Sequence, residues 1–167
     1  MVDLSWCLKK RQNFKILVPI DGSDHSIKAA EYAVDIARDN KAQLIALTVL
    51  DIAKVGYTAS SFITSPMDGL NELQRKRKQA HKWLDQIGKM TAQKTTSTVN
   101  NSDIIKFTSQ IEESMSVAGS IVDYADNHNI DLIVVGSRGI SGFRKLLLGS
   151  VASRIVTYSS YPVLVIK

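Results

Sequence analysis

At 167 residues with 44% hydrophobic content, the chain can bury one core of ordinary size and is short for two. No run approaches the roughly 18 apolar residues of a membrane span, and Met1 to Phe14 lacks the apolar centre of a secretory signal, so no membrane partner and a cytoplasmic location are expected. The single cysteine, Cys7, closes no intrachain disulfide and builds no cysteine zinc site, and the histidines at 25, 81 and 128 lack metal-ligand spacing.

The net charge of +5 is unevenly spread. Residues 1–15 carry +3 and residues 75–94 carry +6, which leaves the remainder at −4. The basic excess therefore belongs to a leading arm and one helix, a pattern of solvated faces, and nucleic acid is not the expected partner.

In chain order, Phe14 to Ile20 is an apolar run stopped by Asp21, Gly22 and Ser23, as a buried first strand would be. Ile27, Ala30, Ala33, Val34 and Ala37 recur at helical spacing, with Ser23 or Asp24 as N-cap. Leu44 to Leu50 predicts a second buried strand. Residues 51–64 predict an irregular connection, after which Ser65, Pro66 and Asp68 supply a cap, a first-turn proline and an acid. Leu70, Leu73, Ala80, Leu84 and Ile87 predict the buried stripe of a second helix, and the polar residues 91–102 a loop. The third strand falls within Ile104 to Ile111, its apolar content broken by Lys106 and Thr108. Val117 to His128 returns to helical spacing, and Asp131 to Val135 is the clearest strand. Val151, Ala152, Ile155 and Val156 predict a fourth helix, and Pro162 to Ile166 a closing strand. Five strands separated by helices imply an α/β fold with a parallel, doubly wound sheet and right-handed crossovers.

In such sheets ligands bind beyond the carboxyl ends of the strands, where helices leave to opposite faces. The first strand ends in Val18-Pro19-Ile20-Asp21-Gly22-Ser23 and the fourth in Val135-Gly136-Ser137-Arg138-Gly139. A glycine after a strand permits positive φ and close approach of the main chain, and Gly149 with Ser150 at a helix start leaves N–H groups aimed at an anion. Arg138, Arg144 and Lys145 add positive charge, so the expected ligand carries phosphate. Neither a Walker A loop nor the dinucleotide Gly-x-Gly-x-x-Gly spacing is present.

The spacing Gly136, two residues, Gly139, nine residues, Gly149, Ser150 resembles the universal stress protein family, specifically its ATP-binding branch. Val18 to Ser23 after the first strand and Pro162 to Ile166 at the end support it. The likeness covers residues 14–167, with residues 1–13 as an N-terminal extension. It implies strand order 3-2-1-4-5 in an adenine-nucleotide alpha-hydrolase-like, Rossmann-like three-layer sandwich, with ATP between strands one and four. By position, Asp21 lies beside the adenosine, Pro19 and Val49 border the adenine, and Gly136, Ser137, Arg138 and Gly139 wrap ribose and phosphates. Gly149, Ser150 and Val151 approach the phosphates from the helix start. The family also implies Mg²⁺ or Mn²⁺ with the triphosphate and a homodimer through the last strand. Many relatives carry a glycine and proline where this chain reads Glu112-Glu113-Ser114-Met115-Ser116, which predicts an altered loop at one wall of the pocket.

The expected function is a nucleotide-dependent regulatory or stress-response dimer that binds ATP, with AMP or another adenine nucleotide as the alternative ligand. A slow ATPase or phosphotransferase, with Arg138 as charge stabiliser and Asp21 as metal neighbour, is the second reading. No general base accompanies it, so no catalytic residue is assigned and binding is favoured over enzyme activity. A nucleotide-free, chaperone-like scaffold is the third.

Overall fold

The computed structural model describes residues 13–53, 66–96, 105–140 and 148–167. In chain order the elements are β1 (Lys15–Pro19), α1 (Asp24–Asn40), β2 (Gln43–Asp51), α2 (Pro66–Thr96), β3 (Lys106–Ser114), α3 (Val117–His128), β4 (Leu132–Gly136), α4 (Ser150–Tyr158) and β5 (Val163–Ile166). Trp6, Cys7, Ser65, Arg144 and Lys145 lie outside the described residues, as do most of the predicted 51–64 connection and residues 97–102.

All strand pairings are parallel and the order is β3-β2-β1-β4-β5, as the resemblance implies. Alternate strand residues face opposite layers. Ile16, Val18, Leu44, Ala46, Leu132 and Val134 pack in one cluster with Ala29, Ala30 and Ala33 of α1 and with Leu84 and Ile87 of α2. Leu17, Ile45, Leu47, Ile133 and Val135 pack in the other with Ala118, Ile121 and Ala125 of α3 and with Ala152 and Ile155 of α4. Both faces of the central strands are covered, which is why they read as continuous apolar runs with no period of two. The helix ends follow local chemistry. Ser23 caps α1 by accepting from the Ser26 amide, Ser116 caps α3 by accepting from the Gly119 amide, and Lys41 and Asn129 end those helices in left-handed backbone.

Three boundaries differ from the sequence expectation. Residues 91–96 continue α2 where a loop was expected: Thr91 and Thr95 are accommodated by donating their hydroxyls to the carbonyls of Ile87 and Thr91, and Lys94 ties this end to Asp35 of α1. Leu70 is 55% exposed, not part of the buried stripe. α2 has 31 residues against nine in the longest strands, so its first turns outrun the sheet that would cover them. β3 runs three residues past Ile111, taking in Glu112, Glu113 and Ser114, which were expected in a loop. As the edge strand it turns Phe107 and Ile111 to the α2 layer and polar residues to the other side, and this alternation hid it in an apolarity scan.

Of the glycines that follow the two strands, Gly22 takes the positive φ, at +83°; none of the other described glycines has positive φ. A β-carbon on Gly22 would overlap the indole of Trp83, which reaches over from α2. Trp83 completes the helical spacing of Ala80, Leu84 and Ile87. Gly22→Ala should destabilise the protein by about 2–4 kcal/mol, combining left-handed strain with the clash. In a Trp83→Ala background the same change should cost only about 1–2 kcal/mol, since the strain alone remains. Urea unfolding of the four proteins checks this; equal costs in both backgrounds would contradict the contact.

Candidate functional site

After β1 the chain leaves for the α1 layer, and after β4 it leaves for the α4 layer, so a crevice opens between the carboxyl ends of these adjacent strands. Its two lips are the turn at Ile20 to Ser23 and the segment from Ser137 onward. The lips approach closely because Gly136 has no side chain. A β-carbon there would lie 2.6 Å from the His25 carbonyl carbon and 2.9 Å from the Ser26 nitrogen, so only glycine lets the first turn of α1 rest against β4. Close approach, not positive φ, is what this position requires.

Asp21 joins the lips. Its Oδ1 accepts from the Ser23 amide at 3.0 Å and from the Ser23 hydroxyl at 2.6 Å, and its Oδ2 accepts from the Ile140 amide at 3.2 Å. The same Oδ2 would lie 2.6 Å from a β-carbon on Gly139, so that glycine gives the carboxylate its seat. The Ser23 hydroxyl also lies 3.4 Å from the Arg138 carbonyl.

The far side of the crevice is the start of α4. The buried Ser137 donates its amide to the Ile166 carbonyl of β5 and accepts from the Gly149 amide at 2.7 Å, which closes the base of the connecting segment. Gly149 is the N-cap and makes no side-chain capping bond, while its carbonyl accepts from the Ser153 amide. The amides of Ser150, Val151 and Ala152 are the helix's first donors and have no acceptor within it. With the helix dipole they form an anion-attracting end. Arg138 is half-buried beside this end and makes no ion pair among the described residues.

Val49 lies on the neighbouring strand. β1 pairs with β2 only as far as Leu47, whose carbonyl accepts from the Ile20 amide at 2.8 Å. Two residues further, the same edge of β2 at Val49 extends past the end of β1, where its backbone can meet a ligand. Val49 packs, half-buried, against the α3–α4 layer together with Val117, Leu148 and Val151. At this end Glu112 pairs in register with Val49 and accepts a 2.6 Å hydrogen bond from the Ser120 hydroxyl. The Tyr124 hydroxyl is pushed above its usual pKa by burial, with the Glu112 charge adding to the effect.

The structure thus gathers Pro19, Asp21, Gly136, Ser137, Arg138, Gly139, Gly149, Ser150 and Val151 around one crevice, with Val49 on its β2 side. Sequence reasoning did not single out Ser23 as a crosslink, nor the Glu112–Ser120 pair. The former was visible as an Asp-x-Ser turn; the latter joins separate elements and left no local signal. A separate hollow of about 530 Å³ lies behind Gly22, framed by Ile27, Lys28, Glu31 and Trp83. Among the described residues no three His, Cys, Asp or Glu side chains converge as metal ligands, and no helix is long and apolar enough to cross a membrane.

The family model described as "Universal stress protein family" matches residues 13–167. A universal stress protein of Methanocaldococcus jannaschii is 33% identical over 155 residues, which are 92% of this chain and 81% of that one. Among solved structures, the universal stress protein UspA from Lactobacillus plantarum superposes with a TM-score of 0.76 at 28% identity, covering 94% of this chain and 99% of the other. More distant structures share the fold. One is a universal stress protein in complex with cAMP, with TM-score 0.61, 21% identity and coverage of 93% and 98%. Another is that of Archaeoglobus fulgidus in complex with dAMP, with TM-score 0.58, 20% identity and coverage of 92% and 98%.

Asp21→Ala removes the acceptor shared by the two lips. Hydrogen exchange at the Ile140 amide should accelerate about tenfold or more, since bonds to a charged acceptor are among the stronger ones. Exchange within β4 should be unchanged, so a uniform rise across the sheet would point to global destabilisation instead.

Proposed function

The chain belongs to the universal stress protein family, and from that premise we propose that its crevice binds an adenine nucleotide, with ATP as the ligand and Mg²⁺ or Mn²⁺ carried on its phosphates. The observation that carries this reading is the uncapped start of α4 facing Asp21 across the crevice, with Arg138, which has no ion pair among the described residues, beside it. The amides of Ser150 and Val151 would meet the phosphates, Asp21 and Gly139 the ribose, and Pro19 and the Val49 backbone the adenine. The cAMP and dAMP complexes are properties of those two proteins, and they agree with the class of ligand proposed.

The role is binding and regulation, not turnover. The Asp21 carboxylate accepts three hydrogen bonds from Ser23 and Ile140, an arrangement that joins the two lips, and no general base accompanies the glycine motif. Nucleotide occupancy would alter the surface that the protein offers to a partner. The partner proposed first is a second copy. β5 is an edge strand whose Val163, Leu164 and Val165 are only half-buried, and Val156 and Tyr158 of α4 stand exposed beside it.

Calorimetric titration with ATP should give saturable binding, and its absence at millimolar nucleotide with folded protein would sink the proposal. Arg138→Ala should weaken ATP about tenfold or more while changing adenosine affinity little, because it removes a charge-assisted phosphate contact only. Sedimentation should return a dimer; a monomer at all accessible concentrations would remove that part of the reading.

A further inference from the structure

We propose that Glu112 selects the base, accepting from an exocyclic amino group so that the site takes 6-aminopurine nucleotides and rejects 6-oxopurine ones; this rests on the reading that the base lies against Val49. The register places Thr108, Gln110, Glu112 and Ser114 on the α3-facing side of β3, beside Ile45, Leu47, Val49 and Asp51. Thr108 and Gln110 are exposed, whereas Glu112 is half-buried and lies next to the residue proposed to border the base.

Its side chain is held in place. The Ser120 hydroxyl donates to Oε2 at 2.6 Å, and Oε1 has no hydrogen bond among the described residues. An ionised carboxylate only accepts, so the free oxygen is a fixed acceptor on the strand position beside the half-buried Val49.

Charge then orients the ligand. A phosphate is drawn to the start of α4 and to Arg138 and repelled by Glu112, so the base and not the phosphate chain lies on the Glu112 side. There an N6 amino group donates to Oε1, while an O6 carbonyl in the same place sets two acceptors against each other. A site built around one acceptor rejects the analogue that cannot donate to it.

The test is calorimetry on the full chain with ATP and inosine triphosphate, and with GTP as a third ligand, for the native protein and Glu112→Gln, with folding checked by circular dichroism. The native protein should prefer ATP by about tenfold or more. Glu112→Gln, whose amide can donate to O6, should bring the two affinities within about threefold of each other. Equal native affinities, or a preference that survives in Glu112→Gln, would overturn the assignment while leaving nucleotide binding intact. Tighter binding of GTP than ATP, lost in Glu112→Gln, would also overturn it, because the carboxylate would then be reading the N1–H and 2-amino edge. If neither triphosphate binds the native protein, the reading of the crevice itself falls, and the base assignment with it.

Discussion

Where β4 meets the first turn of α1, main chain rests on main chain with no β-carbon between them, and the arrangement above the sheet follows from that contact at Gly136. It sets the position of His25 and Ser26, hence of the Ser23 cap, hence of Asp21, whose carboxylate reaches the Gly139–Ile140 backbone. Ser137, the next residue, is tied on one side to β5 and on the other to Gly149, so the helix start opposite is anchored to the same strand end. Because interiors are close-packed and shift little, two loops from distant parts of the sequence are held in a definite relation by one missing methyl group.

The arrangement is also electrically polar. The uncapped amides of α4, with Arg138 next to them along the backbone, make one end of the crevice region attractive to anions, while Glu112 on β3 makes the other repellent to them. Asp21 lies between, its charge taken up by donors from both lips. A ligand with a charged tail and a neutral, hydrogen-bonding head suits that gradient in one orientation only.

Much of this was readable from the chain, though for mixed reasons. The continuous apolar runs at β1, β2 and β4 show as strands because both faces are buried, and Val117–His128 is a helix by its spacing alone. The strand order was not legible in any local pattern; it came with the family resemblance. The glycines stand out in the sequence, but periodicity says nothing about which group presses on each: the His25–Ser26 main chain on Gly136, the Asp21 carboxylate on Gly139, while Gly22 carries the positive φ. Residues 91–96 were misjudged because a threonine that bonds back to a carbonyl one turn earlier is indistinguishable, in sequence, from a threonine in a loop. Glu112 and Ser120 met only in three dimensions.

The two borders of the sheet are chemically unlike. β3 presents Thr108, Ser109 and Gln110 to solvent along its length, while β5 is short and apolar. A sheet with two adhesive borders can add copies without end, head to tail, and grow into a fibre. A copy joining through β5 would use the adhesive border of both molecules and leave a hydrophilic border at each outer margin, so the proposed association would terminate itself at a closed pair.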